Sequence, residues 1–369
     1  MTQRKPEYKP LLFTTTVRNP ARLKGLLWIL KIFNGKILTN DLASKIVGET
    51  IRYGLYRPMK VNNSIKNKWT KSSKGEFATF ILTDKEVDFV LKHNSQKHKE
   101  AGFDKGYPSR FATLFDFAKE LGFVYFEIGS NIEFSEVGLK MAEIYSIDVV
   151  NGEILVEEKH PEYEQQAFLQ AMCKYQRANP FVRVLNDNIP LILLLETIQK
   201  LNADKDFTSY GISRKELPLL IFWKDNNSNY LYQRIKKLRK DYGYNPSNEV
   251  IIDICINEIM QGFKQFKPKS IINEYPDEFI RKMRLTGLIS IRGAGRFIDI
   301  NHTEDKKIEY ILKHYSKYKK YKTERSYFDY MAQVDNELFE IKTKYLSNKK
   351  SETLLIHWTK EYKWQQIKD

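Results

Sequence analysis

Apolar residues recur at helical spacing over Ala21 to Phe33, where Leu23, Leu26, Leu27, Leu30 and Ile32 mark one stripe. The same period predicts helices over Phe111 to Leu121, Ala167 to Tyr175, Pro190 to Leu201, Asn229 to Tyr242 and Val250 to Phe263. Thr39, Thr83, Ser135 and Ser213 stand where a helix needs an N-cap, and Glu216 follows Ser213 as in a capping box. Lys9 to Val17 and Phe77 to Leu82 read as strands, and Ile147 to Glu157 carries the Asn-Gly signature of a tight hairpin. Arg57 to Lys74 has a loop's composition.

Two stretches combine these patterns in the same order. Pro276 to Leu285 predicts a short amphipathic helix, with Pro in its first turn, Asp277 and Glu278 next, and Arg281, Lys282 and Arg284 near its end. Gly287 stops it, and two alternating apolar runs then flank the turn Arg292-Gly-Ala-Gly-Arg296. Arg110 to Ser135 repeats the scheme: a helix ending at Gly122, a strand, Gly-Ser-Asn, and a returning strand. Helix, glycine and two-stranded wing form the distal half of a winged helix. The expected fold is therefore α+β and predominantly helical, with two tandem winged-helix-like DNA-binding subdomains over residues 1–158 and 159–304. A basic helical linker is expected over 305–369.

Charge sharpens this picture. Of 369 residues 61 are Lys or Arg and 46 are Asp or Glu, a formal net charge of +15, and a chain so basic usually meets a polyanion. Heavy use of Lys, Asn, Ile and Tyr also fits an AT-rich genome, so charge alone does not decide. Three segments concentrate the bases. Residues 57–74 hold Arg57, Lys60, Lys66, Lys68, Lys71 and Lys74 with no acid, and Trp69, Asn62 and Asn63 stand among them as candidate base contacts. Arg234, Lys236, Lys237, Arg239 and Lys240 crowd one helix. Lys306 to Arg325 has eight bases against Glu309 and Glu324, interleaved with Tyr310, Tyr315, Tyr318 and Tyr321. Phosphate contacts are expected from all three, from Arg18, Arg22 and Arg110, and from Arg292 and Arg296 at the wing. The helices near 110–121 and 276–286 are candidates for the major groove, with Lys282 among the contacts and Arg281 and Arg284 as guanine readers. Cys173 and Cys255 lie in apolar helical contexts without metal-ligand spacing and read as reduced core residues. No apolar run reaches membrane length and the start lacks a signal-peptide pattern, so a cytoplasmic location is expected.

Catalytic signatures are sparse. There is no P-loop, no dinucleotide fingerprint, no zinc-protease or serine-hydrolase motif, and no Cys-x-x-Cys. An Asp followed by Glu-x-Lys, the pattern of a magnesium-dependent nuclease, occurs as Asp148 with Glu157 and Lys159, and as Asp329 or Asp335 with Glu340 and Lys342. Glu-x-Lys arises readily in a Lys-rich chain. The first set falls in a short hairpin and the second in a helical segment. The residues alone predict DNA binding with no metal and no catalytic set in this chain. The alternatives are a compact nuclease built on one of these sets, or a non-enzymatic winged-helix plasmid replication initiator or transcription regulator.

The opening KPLLFTTTVRNPARLKGLLWILKIFNGKILTNDLA resembles the amino-terminal signature of the AlwI-type family of type IIS restriction and nicking endonucleases, most of all in FTTTVRNPARLK, Phe13 to Lys24. LGFVYFEIGSNIEFSEVGLKMA, QQAFLQAMCKYQ, YGISRKELPLLIFW and RLTGLISIRGAGRFIDIN are similar to that family in the same order. The resemblance implies a modular enzyme. A region of two winged-helix-like subdomains would read a short asymmetric double-stranded site as a monomer. A PD-(D/E)xK nuclease domain would cut at a distance with Mg2+. The expectation is that residues 1–369 are the recognition part, with the nuclease domain or subunit a separate partner.

Overall fold

The computed structural model describes residues 7–13, 20–70, 76–97, 99, 102–182, 184–207, 211–263 and 265–342. The chain forms two compact units. One is built from residues 13–167 and 328–334, the other from 168–327 with residues 7–12 and 335–342.

The first unit opens with α1 (Ala21–Lys31), which is buried almost all round. Residues 35–38 then run beside the hairpin further on, with Gly35 N donating to Ile132 O at 2.8 Å and Leu38 N to Ser130 O at 2.9 Å. Thr39 caps α2 (Asn40–Arg52), its hydroxyl accepting from Leu42 N at 3.1 Å. α3 (Asn63–Lys68) and α4 (Asp84–His93) follow, and Thr83 and Glu86 close a capping box on α4. α5 (Tyr107–Glu120) leads to β1 (Val124–Tyr125) and the antiparallel β2 (Glu133–Phe134). Ser135 caps α6 (Glu136–Ala142). β3 (Tyr145–Val150) and β4 (Glu153–Glu158) form the ribbon that Asn-Gly predicts, joined through Asn151 and Gly152. α7 (Glu162–Lys174) carries the chain onward.

The second unit repeats that order on a larger core. α8 (Pro190–Ala203) is buried all round over Pro190 to Leu195, the mark of a core helix, and turns polar towards its end. β5 (Ile212–Ser213), α9 (Leu217–Phe222), α10 (Ser228–Tyr242) and α11 (Asn248–Asp253) come next, and α11 continues as a π-helical turn over Ile254–Ile259. A second π-helical turn, Ser270–Glu274, runs into α12 (Tyr275–Arg284). β6 (Ile289–Arg292) and β7 (Phe297–Ile300) form the hairpin expected as a wing, and β5 pairs with β7, so the sheet order is β5-β7-β6. Gly211 permits that pairing: a Cβ there would lie 2.1 Å from Ile298 O, and its φ of 70° is one an L side chain resists. α13 (Asp305–Tyr315), α14 (Glu324–Ala332) and α15 (Asn336–Glu340) complete the described chain. In both units a short extended segment lies against the returning arm of the hairpin, residues 35–38 beside 130–132 through one bridge at Ile37 and Asn131, and β5 beside β7.

Several expectations need correction. Residues 57–74 are not all loop: Asn62 accepts from Ile65 N at 2.9 Å and starts α3. Phe77 to Leu82 forms no strand but makes isolated bridges, among them Phe80 to Glu153 of β4. Lys306 to Arg325 is not one helix, because the chain leaves helical geometry between α13 and α14. The strand expected over Lys9 to Val17 is described only to residue 13, where Glu7 makes a parallel bridge to Val184. Both cysteines are free and buried. No helix among the described residues is long and apolar enough to cross a membrane.

Candidate nucleic-acid interface

The second unit's wing and α12 present three exposed arginines, Arg281, Arg292 and Arg296. α12 buries Phe279, Ile280, Met283 and the Glu278–Lys282 pair, which leaves Asp277, Arg281 and Arg284 on the opposite face at helical spacing. Arg281 is exposed and makes no ion pair among the described residues. Arg284 is partly exposed, and burial with Arg281 beside it holds its guanidinium below the ordinary arginine range. Lys282 does not belong to this surface. It is 0% exposed, and its ammonium bonds Glu278 and the Leu12 carbonyl, so the expected DNA contact is a structural lysine.

The wing turns through Gly293, Ala294 and Gly295, all with positive φ, a tight reversal that exposes its tip. Arg296 is exposed without an ion pair among the described residues. Arg292 lies 3.4 Å from Asp299, a buried carboxylate that also accepts from Asn202. Arg214 joins wing to helix. Its backbone N donates to Arg296 O at 2.8 Å, and its guanidinium donates to Asp277 at 2.5 Å. Sequence reasoning missed Arg214, because only the pairing of β5 with β7 brings it to the wing.

α10 is the reverse case. Arg239 is 0% exposed and bidentate to Glu216, at 2.7 and 2.9 Å, with a further bond to Gly211 O. Arg234 grips both oxygens of Glu258 at 2.6 and 2.8 Å. Lys236 pairs with Asp204 and Asp206, both at 2.8 Å. Hydrogen bonds from Lys236 and Tyr232 pull the Asp204 carboxyl down to about 2. Lys240 lies 3.6 Å from Asp206. Lys237 alone of the five is exposed without an ion pair among the described residues. Local charge density thus overstates the free charge on this helix.

Among the contacts expected in the first unit most are engaged, although other lysines of that unit, such as Lys45, Lys85, Lys92 and Lys105, are exposed. Lys24, at the end of FTTTVRNPARLK, is 1% exposed and pairs with Glu164 at 2.9 Å and Glu158 at 3.4 Å, tying α1 to α7 and β4. Arg22 reaches Glu76 at 3.7 Å. Lys68 pairs with Glu86 at 2.7 Å, and Arg57 donates to the carbonyls of Gly54 and Glu76. Trp69 is 6% exposed, so the base-stacking ring expected there is a core residue, and Asn62 is spent as a cap. Lys60 and Lys66 stay exposed. Arg110 donates twice to Gln96 and lies over the Tyr56 ring. No residue of α5 is exposed, so the helix expected to read a groove is a core helix. Arg18, Lys71 and Lys74 lie outside the described residues.

The tyrosines of 306–325 fasten that segment. Tyr310 and Tyr315 both donate to Asp335, Tyr318 donates to Ala178 O at 2.7 Å, and Tyr321 packs on Tyr327. Burial first, and then neighbouring carboxylates, push these hydroxyls up: Glu337 and Asp335 for Tyr310, Asp335 for Tyr315 and Asp187 for Tyr318. Lys306, Lys313, Lys317, Lys319, Lys320, Lys322 and Arg325 remain exposed.

The two nuclease-like sets do not fit a magnesium centre. Asp148, Glu157 and Lys159 are exposed on the β3–β4 ribbon. Asp335 caps α15 and accepts from two tyrosines, whereas Glu340, Lys342 and Asp329 are exposed. No group of three or more His, Cys, Asp or Glu among the described residues could hold a metal ion.

A family model described as AlwI restriction endonuclease matches residues 119–368. No curated protein matches the chain. Among solved structures, the BpuJ1 endonuclease binding domain, crystallised with pyrene- and phenanthrene-modified DNA, is similar at 14% identity over 60% of this chain and 77% of that one, with a TM-score of 0.39.

Proposed function

The chain belongs to the AlwI restriction endonuclease family, and from that premise we propose that it recognises a short asymmetric double-stranded DNA site through the wing and α12 of its second unit. Each unit is read as a winged helix, because each follows the order helix, short extended segment, four helices, hairpin, with the extended segment against the returning arm. Residues 1–158 and 159–304 would be the two recognition subdomains and the later segment a basic link. The observation that carries the reading is the pair of exposed arginines without an ion pair among the described residues, Arg281 on α12 and Arg296 on the wing, with Arg214 linking the wing at Arg296 to α12 at Asp277.

Arg281 is placed to read a guanine edge, since a guanidinium matches O6 and N7 together. Arg296 and the exposed lysines of 306–322 would meet phosphates, which supply affinity and salt dependence without sequence information. Cleavage is assigned to a PD-(D/E)xK domain using Mg2+ outside the described residues, with the chain acting as a monomer on DNA. Selection of bound duplexes from a random pool at two salt concentrations tests this. A short asymmetric site supports it, whereas a palindrome, a repeat array or no preference would overturn it.

A further inference from the structure

We propose that Arg214 is a second guanine-reading residue and that Asp277 positions it. This rests on the reading that the wing and α12 bind DNA. Asp277 is the one acid of α12 itself that lies on its outward face, since Glu278 is buried against Lys282. A carboxylate on a surface that meets phosphates is unfavourable by itself, so its partner matters. That partner is Arg214: one guanidinium nitrogen reaches Asp277 at 2.5 Å, and the two side chains keep 36% and 39% of their exposure.

The backbone of Arg214 is held as well, by its N–H to Arg296 O at 2.8 Å and by its place directly after β5. The turn that follows is closed by Ser213 N to Glu216 at 2.7 Å, and Glu216 is itself locked by Arg239. A guanidinium carries five N–H donors, so one spent on Asp277 leaves enough for a bidentate contact. The side chain is then fixed in direction while its free edge stays open. Such preorganisation lowers the entropy lost on binding and sharpens geometric discrimination. Arg281, exposed and unpinned, lacks that support. The buried Arg239–Glu216 pair, which the DNA-binding surface does not use directly, acquires a role as the brace behind Arg214.

The test uses the full 369-residue chain. Duplex selection from a random pool is run on wild type, Arg214→Lys and Asp277→Asn, with thermal unfolding recorded for each. Arg214→Lys keeps the charge and loses the planar fork. It should lower the preference at one guanine by about 10- to 100-fold while preferences elsewhere persist. Asp277→Asn should weaken the preference at that same guanine by a smaller factor. Loss spread evenly over all positions would make Arg214 a phosphate contact or a staple, and overturn the inference. So would two variants acting at different base pairs. A wild type with no sequence preference would overturn the proposed function itself.

Discussion

α5 and α12 hold the same place in their units, each followed by a glycine and a hairpin, yet they expose different things. No residue of α5 is exposed, and the first hairpin shows Glu127, Gly129, Ser130, Asn131 and Glu133, with no base. α12 exposes Arg281, and its hairpin exposes Arg292 and Arg296. Periodic apolar positions built the scaffold twice, but only one copy exposes arginines on this helix and its hairpin. A second contrast runs within α12: Arg281 and Lys282 are neighbours, one open to solvent and the other at 0% exposure against Glu278.

The largest effect expected is at Lys282. Lys282→Met leaves the Glu278 carboxylate buried without its cation and should cost about 3–5 kcal/mol of stability in urea unfolding. The sequence preference of the folded protein should stay as it was. A changed preference at intact stability would move Lys282 to the DNA surface and erase the contrast with Arg281.

Lys174 carries the next effect, because burial alone dominates there. Its pKa falls from 10.5 to about 8, caused first by desolvation. The folded state therefore resists protonation, so its penalty is full below about pH 8 and is relieved as pH rises toward 10.5, where the unfolded chain also releases its proton. Stability should climb over that window by an amount on the order of 3 kcal/mol, and Lys174→Met should abolish the climb. Urea unfolding at pH 7 and pH 10 measures it, and a flat profile would mean the ammonium reaches water.

Arg281→Ala should leave the unfolding midpoint unchanged and remove about 1–3 kcal/mol of discrimination at one base pair. Equal weakening on every sequence would make Arg281 a phosphate contact. Smallest is Arg234→Ala, which breaks a pair with the exposed Glu258 and should cost roughly 0.2–1 kcal/mol of stability. The slope of affinity against salt should not move, because Arg234 is already neutralised. A slope lowered by about 1 would place α10 on the backbone after all.

Much of the scaffold was legible because its signals are local. The hydroxyls of Thr39, Thr83 and Ser135 cap the helices they precede, whereas Ser213 and Glu216 exchange reciprocal bonds across a turn and α9 begins only after it, at Leu217. Both main hairpins announced themselves by Asn-Gly and Gly-Ala-Gly. The state of each base was not legible, because it depends on acids brought together by tertiary packing: Asp204 to Lys236, Glu216 to Arg239, Glu164 to Lys24. Tyrosines interleaved with lysines suggested stacking on bases, and they serve instead as anchors to Asp335 and Ala178. Arg214 carried no motif of its own and became visible only through strand pairing.

The most direct test of the account sets Arg281→Ala/Arg296→Ala against Arg234→Ala/Lys236→Ala in one duplex selection. Both pairs remove two positive charges from the second unit. The account predicts that the first loses its preference at one base position and binds less tightly, whereas the second keeps the full selected sequence with nearly wild-type affinity. Loss of the sequence in the second pair, with the first unaffected, would contradict the assignment of recognition to the wing and α12.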